Sequence, residues 1–440
     1  MKRFWWLRQS SKLRRRTMFL GGGILTGLSA YAFAYLADDV QDFFYNAIGA
    51  YPSLPWLVTP IGFALCAFVA ARWFPNAQGS GIPQCIAAMH TSDKKVRDRL
   101  LSLRLAFGKI VLTVLGLACG ASIGREGPTV QVGASIMSAI GVKGGKDQRA
   151  LILAGSAAGI AAAFNAPLAG IVFTIEELSR SFEAKTSGLI LTATIIAGLT
   201  ATTLGGNYAY FGYASGNLGT VTDWFALAIT AMLGGLLGGF FARFMVEFGQ
   251  RVDWQRRLGR SKRPIAFAFG CGCVVALCGF LSGGTIFGTG YHEAYSVIHG
   301  GNELPLFFVP LKMIATAVSS ISGIPGGLFS PSLSVGAGIG SFVAHFLDVS
   351  SIPQFALLGM AAYLTGVLQS PITSVVIMAE MTDNHAMVVP LMICALISNT
   401  ISKQISSVSL YHSLSAAFLP PPTPDSGAAD EPQPTKPRNG

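Results

Sequence analysis

The chain has 440 residues, of which 51% are hydrophobic and 12% are charged, whereas an average soluble domain is about 25% charged. So few charges exclude an ordinary soluble globular protein. The formal net charge is +10, and its distribution along the chain is more informative than its size.

The first elements in the chain are uncharged apolar runs at residues 18–37 and 53–71. As helices, they are long enough to cross the ~30 Å hydrocarbon core of a bilayer. Similar runs recur, so the sequence predicts an all-α polytopic membrane protein. The 52 glycines and 22 prolines interrupt these runs often. Broken backbone at membrane depth needs protein or a watery cavity to satisfy it, so the interruptions indicate a transport pathway.

Basic residues are concentrated at 2–16, 94–104 and 251–263, which carry seven, five and six of them. The positive-inside rule assigns all three segments to the cytoplasmic side. We therefore predict a basic cytoplasmic N-terminus at 1–17 and a basic cytoplasmic linker at 251–263. A cleaved signal peptide is disfavoured because the first apolar run is a full span, and a topogenic role is favoured over binding of a polyanion such as nucleic acid.

An internal repeat relates the two halves at an offset of about 203 residues. The matching positions, first half before second, are 127–134 with 330–337, Lys109 with Lys312, Glu176 with Glu380 and, more weakly, 79–81 with 288–290. We predict membrane repeats at 18–250 and 264–415, of inverted orientation and built from tilted, partly non-spanning helices. In such transporters the substrate lies where discontinuous helices of both halves converge. Residues 416–440 are predicted to form a disordered cytoplasmic tail.

Two glycine-rich motifs are expected at helix starts. They are Gly79-Ser80-Gly81-Ile82-Pro83 and Gly124-Arg125-Glu126-Gly127-Pro128. Exposed N–H groups at a helix start favour an anion, although the first motif alone is a weak signal. Glu126 is an ionisable residue expected inside the membrane, which makes it a functional candidate.

A third motif, at 323–331, is the repeat partner of the second and has Phe329 where the first half has Glu126. Further differences between the halves concern two adjacent carboxylates. Glu176 has a counterpart in the second half, whereas Glu177 aligns with Met381. A carboxylate in both halves indicates a shared structural role, and one in a single half indicates an asymmetric function. From local sequence alone, solvation or pairing with Arg180 is the simpler interpretation.

In this order, the three motifs and the late Leu410-Tyr411-His412 segment resemble the CLC family of chloride channels and proton-coupled chloride antiporters. The resemblance covers the chain to about residue 414. It implies a homodimer with one anion pathway in each subunit. It also implies chloride ligands and two proton-handling carboxylates. The implied ligands are the hydroxyls of Ser80 and Tyr411 and the N–H groups of Leu328 and Phe329, with Glu126 as external gate and Glu177 as internal proton-transfer residue.

Three positions depart from the family pattern. Gln84 and Ile86 stand where family members often carry acidic residues, so polar coupling near the cytoplasmic mouth is expected to differ. Ser330 replaces the more usual alanine and is expected to matter little. We expect the anion to be held at helix N-termini without a full positive charge nearby.

The sequence thus predicts a chloride/proton antiporter of the bacterial inner membrane, with both termini cytoplasmic and no cofactor. The alternatives are a passive chloride channel of the same fold and a fluoride/proton antiporter. A membrane-embedded enzyme is disfavoured because the apolar region contains no nucleophile elbow, phosphate loop or His-rich metal pattern. Cys271, Cys273 and Cys278 are better explained by helix packing than by metal binding.

Overall fold

The computed structural model describes residues 2–141, 148–179, 184–206, 209–213, 218–251, 263–300, 304–349 and 351–419. Arg180, nearly all of the predicted linker and the tail from 420 onward lie outside these ranges. The helices of the first half are α1 (Lys2–Ala50), α2 (Pro55–Trp73), α3 (Ile82–His90), α4 (Lys94–Leu100), α5 (Leu103–Ala118), α6 (Glu126–Ile140), α7 (Gln148–Phe164), α8 (Pro167–Phe173), α9 (Ala184–Gly205) and α10 (Val221–Arg251). Those of the second half are α11 (Arg263–Leu281), α12 (Tyr291–Ile298), α13 (Phe308–Ile321), α14 (Phe329–Phe346), α15 (Ile352–Leu368), α16 (Pro371–Thr382), α17 (Val388–Ile405) and α18 (Leu410–Ser415).

The predicted all-α polytopic fold is confirmed for the described residues. Seven of their helices are long and apolar enough to cross a membrane. Others, such as α8 with 7 residues and α16 with 12, are too short to span. A six-residue π-helix (Thr174–Ser179) follows α8, and a 3₁₀ turn (Ala416–Phe418) begins the segment that the sequence assigns to the tail.

Reciprocal contacts relate the two halves by a local two-fold axis. The N–H of Gly124 donates to the carbonyl of Gly327 at 2.8 Å, and the N–H of Gly327 donates back to the carbonyl of Gly124 at 2.6 Å. These two residues are equivalent positions of the repeat. A contact that equivalent residues return to each other requires a two-fold relation, which is the relation that two inverted repeats need.

Pairs of glycines allow α6 to pack closely on α7 and, in the second half, α14 to pack closely on α15. A Cβ on Gly133 of α6 would lie 2.2 Å from the carbonyl oxygen of Gly155 of α7. A Cβ on Gly336 of α14 would lie 2.4 Å from the carbonyl oxygen of Gly359 of α15. Only glycine permits this approach of backbone to backbone, and the close packing fixes the starts of α6 and α14 on which the site is built.

Candidate functional site

The loop that contains Ser80 is held between the glycine-rich segments of both halves. The N–H of Gly79 donates to the carbonyl of Ile324 at 3.0 Å, and the carbonyl of Gly79 accepts from the N–H of Gly326 at 3.1 Å. Gly81 has a φ of 101° and would clash with Gln131 if it carried a Cβ, so a side chain is excluded there on two grounds. The loop is therefore fixed where α3 begins.

A buried lysine anchors this loop through hydrogen bonds to its backbone carbonyls. Lys109 of α5 is fully buried, and its ammonium donates to the carbonyls of Ala77 at 2.8 Å and Gly79 at 2.7 Å. In the second half, Lys312 of α13 donates to the carbonyls of Ile286 and Gly288, both at 2.9 Å. The repeated lysines thus anchor equivalent loops by the same contacts.

A cavity of about 400 Å³ opens onto the Ser80 loop. Ser80, Gln84, Leu328 and Tyr411 are among its lining residues. The hydroxyls of Ser80 and Tyr411 are buried, and the only partner that the described part of the chain offers either of them is the other. Two buried donors beside one cavity with so few acceptors form a place where an anion would be stabilised, because buried polar groups that lack partners are costly. The 3₁₀ turn at Ala416–Phe418 also lines this cavity.

The start of α14 presents backbone donors to the same region. Leu328 is the N-cap of this helix and Phe329 its first residue, and N–H groups at a helix start have no acceptor within the helix. The Phe329 ring is fully buried, packs edge-on against Phe164 and Phe173, and stacks at a centroid distance of 6.4 Å on Tyr411. Its side chain therefore belongs to the core while its N–H stays at the helix start.

Glu126 is the first residue of α6 and is fully buried. One carboxylate oxygen accepts a hydrogen bond from the Ser330 hydroxyl at 2.5 Å, and the other is buried without a partner among the described residues. The expectation that Ser330 matters little is wrong, because its hydroxyl is the direct partner of the candidate gate. Ser330 lies in the first turn of α14, so the carboxylate lies at the positive ends of two helices.

Arg125 points away from this carboxylate toward α1. Its guanidinium donates to the carboxylate of Asp38 and, at 2.8 Å, to the carbonyl of Ala34. The arginine charge is therefore already paired. It fastens the second motif to the first helix and leaves the helix-end amides as the donors at the motif.

Glu177 lies in the π-helix and is buried, with 2% of its surface exposed. Its two oxygens accept hydrogen bonds from the hydroxyls of Ser370 at 2.7 Å and Ser409 at 3.1 Å. Glu177 also lines a second cavity, together with Lys403 and His412. Tyr411, two residues beyond Ser409, lies within electrostatic range of both Glu177 and Glu126.

Glu176 has a different environment from its neighbour. Its oxygens accept from the N–H groups of Ile372 at 3.2 Å and Thr373 at 2.7 Å, at the start of α16. Glu380 returns the contact by accepting from Leu168 and Ala169 at the start of α8. The shared structural role that the repeat predicts for this pair is confirmed as reciprocal capping of two helices. The proposed partner Arg180 lies outside the described residues.

Residues 61–403 match the family described as voltage gated chloride channel. The chain belongs to this family. An H⁺/Cl⁻ exchange transporter named ClcA from Yersinia pestis is 31% identical over 426 residues, which cover 90% of this chain and 86% of the relative. A ClcA exchanger from Klebsiella pneumoniae is 28% identical, over 89% of this chain and 86% of the relative. The predicted resemblance is thereby confirmed.

Two solved structures of antiporters share the fold. A slow cyanobacterial Cl⁻/H⁺ antiporter superposes with a TM-score of 0.77 at 24% identity, covering 92% of this chain and 97% of that one. A CLC-type fluoride/proton antiporter gives a TM-score of 0.75 at 23% identity, with 89% and 95% covered. These similarities show that the chain has the same fold as these two antiporters. As a member of the voltage gated chloride channel family with seven helices able to span a membrane among its described residues, the protein is an integral membrane protein.

Proposed function

We propose that this protein exchanges chloride for protons across a membrane, with one anion pathway in each chain. A single arrangement supports the proposal: Ser80 and Tyr411 line one cavity, and Tyr411 lies within electrostatic range of two buried carboxylates, Glu126 and Glu177, that have different hydrogen-bond partners. Its relatives from Yersinia and Klebsiella are named H⁺/Cl⁻ exchangers. The family's transport role also argues against an enzyme.

Chloride is proposed to bind between the hydroxyls of Ser80 and Tyr411 and the N–H groups of Leu328 and Phe329. Ser80 and Tyr411 contribute buried hydroxyls beside the cavity, and the two N–H groups lie at the start of α14. Donors of this kind attract an anion without the permanent bond of a salt bridge, which leaves binding reversible.

Glu126 is proposed to be the external gate. When ionised, its carboxylate is held at the helix ends and by the Ser330 hydroxyl, and it competes with chloride for these positive ends. Protonation removes the charge and with it the attraction, so the side chain can withdraw and admit an anion. Anion entry and proton uptake are thus coupled at one residue.

Glu177 is proposed to transfer the proton on the cytoplasmic side. It is buried but lines a cavity of its own, and its serine partners can donate to its ionised form. Glu177 and Ser80 line different cavities whose walls share Ser413, and we propose that protons and chloride follow different routes on that side.

The test is chloride-driven proton uptake into liposomes that contain the purified protein. An antiporter moves protons against their gradient when chloride flows down its own. Chloride flux without proton movement would establish a passive channel, and the same assay with fluoride in place of chloride would identify a fluoride/proton antiporter. Either result would contradict the proposal.

We further propose a homodimer formed through α8, α9, α16 and α17. Leu168 and Ile372, each 60% exposed, flank the capping carboxylates Glu380 and Glu176, which are only half-buried. A carboxylate next to lipid is costly, and a second copy of the chain would cover it. The basic segments and the bacterial ClcA relatives support our proposal that this dimer lies in a bacterial inner membrane with both termini in the cytoplasm.

A further inference from the structure

The Ser80 loop stands beside a buried cation that has no matching anion. Lys109 is fully buried, and its ammonium contacts only backbone carbonyls. No carboxylate of the described residues forms an ion pair with it. Carbonyl dipoles solvate an ammonium but do not neutralise it. When protonated, Lys109 therefore carries a positive charge next to the Ser80 loop that no carboxylate of the described residues balances, whereas the sequence led us to expect no full positive charge near the anion.

In the second half, the equivalent buried lysine has a carboxylate nearby. Lys312 is equally buried and equally bound by carbonyls, yet the carboxylate of Glu293 lies close enough for the two charges to attract each other. Glu293 is the third residue after Gly290, and Gln84 is the third residue after Gly81. The two positions are equivalent in the repeat, so only the half that carries Ser80 has an amide in place of the carboxylate.

The contacts of Gln84 show why its neutrality matters. Its amide nitrogen donates to the carbonyls of Asn76 at 3.1 Å and Gln78 at 2.7 Å, and the Gln78 carbonyl also lies 3.5 Å from the Lys109 ammonium. A carboxylate at 84 would thus be within reach of the lysine, and its oxygens could not donate to these carbonyls. Gln84 and Ser80 also line the same cavity.

We propose that the transported anion is itself the counter-charge of Lys109, and that Gln84 keeps this charge available by being neutral. The inference rests on the proposed anion pathway through Ser80. A unit charge about 12 Å from a partly buried site changes anion affinity by about tenfold at an effective dielectric constant of about 20, and a nearer charge changes it more. Gln84 and Lys109 are thus affinity-determining residues that need not touch the anion.

The first test compares Gln84→Glu with Gln84→Met by calorimetric titration of chloride into the purified full-length protein. Both changes remove the amide hydrogen bonds, but only glutamate adds a charge. We expect Gln84→Glu to bind chloride about tenfold more weakly than Gln84→Met does. Equal affinities in the two variants would overturn the inference. A wild-type protein that binds no chloride would instead refute the proposed function.

The second test removes the cation, in case the buried glutamate prevents folding. Lys109→Met is expected to lower chloride affinity about tenfold, while Lys312→Met, the matched change in the second half, is expected to stay within twofold of wild type. Glu293→Gln serves as the corresponding carboxylate control and is also expected to stay within twofold. Equal losses in the two lysine variants, or a comparable loss in Glu293→Gln, would show a structural role only and overturn the inference.

Discussion

In the first half Lys109 anchors the loop that contains Ser80, and in the second half Lys312 anchors the loop that contains Thr289. Among the described residues, the Ser80 hydroxyl finds a partner only in the Tyr411 hydroxyl, and Ser80 lines a cavity. The N–H of Thr289, by contrast, donates to the Gln41 side chain of α1 at 2.9 Å, and its hydroxyl accepts from Tyr291. The two loops are thus anchored in the same way, but the first-half loop borders a cavity, whereas the second-half loop is bound by the Gln41 side chain.

The difference shows how a repeated fold acquires a one-sided function. Elements that both halves need for folding recur, such as the lysine anchors and the capping carboxylates Glu176 and Glu380. Elements assigned to transport occur once, namely Ser80 with its cavity-lining hydroxyl, Glu126 and Glu177. Substitutions of shared and of one-sided elements should therefore have different effects.

The largest effect is expected for Glu126, which begins α6 and whose counterpart in the second repeat is Phe329. Glu126→Ala should leave chloride transport in place but abolish proton coupling, because no ionisable group then competes with the anion. Chloride and proton fluxes measured together in liposomes test this. Continued proton pumping by the alanine variant would disprove the gate assignment.

The adjacent carboxylates offer a matched pair in which a second large effect is expected. In Glu177→Gln, chloride should still move while proton movement falls to background, because glutamine cannot exchange a proton near neutral pH. Glu176→Gln should retain coupling, since the Glu176 carboxylate is engaged in capping α16. Equal loss of coupling in both variants would refute the division of roles between them.

Because Glu176 and Glu380 cap equivalent helices, substituting either residue should lower stability by a similar amount. Glu176→Gln and Glu380→Gln should each lower the free energy of unfolding by about 1–3 kcal/mol, because each removes charge-assisted hydrogen bonds to a helix start. Thermal unfolding in detergent measures this. The exposed Glu247, which pairs with Arg243 at 2.8 Å, provides the control, and Glu247→Gln should cost at most about 0.5 kcal/mol. A large effect at one capping residue alone would argue against the reciprocal arrangement.

A smaller effect is expected at Ser330. Its hydroxyl donates to Glu126 and thereby helps to hold the carboxylate at the two helix starts. In Ser330→Ala this hydrogen bond is lost, so chloride should compete with the carboxylate more readily and half-maximal transport should need several-fold less chloride. Ser332, on the same helix, provides a nearby serine-to-alanine control. An unchanged chloride dependence of transport would remove Ser330 from the gate.

Sequence reasoning reached the features that depend on composition, spacing and repetition. The apolar runs gave the helical membrane fold, and the repeat distinguished Glu176 from Glu177 because only one has a counterpart. The lysine pair was visible as a repeat, and buried lysines at equivalent positions could have pointed to the loops that they hold.

Contacts between distant segments were not accessible in this way. Ser330 and Glu126 are 204 positions apart, and nothing local indicates that their side chains meet. The side chain of Gln41 accepts a hydrogen bond from the N–H of Thr289 in the second-half loop, although the two residues are 248 positions apart. Such contacts arise from how the two halves close around their common axis, so they follow from the packed structure and not from local pattern.

The central claim, that only the first-half loop binds the anion, is tested most directly by comparing Ser80→Ala with Thr289→Ala in calorimetric titrations of chloride. Loss of a hydrogen bond to a charged group costs about 1.5–3 kcal/mol, so Ser80→Ala should weaken binding by at least about tenfold. Thr289→Ala should stay within twofold of wild type. Equal losses, or a larger loss at Thr289, would contradict the account.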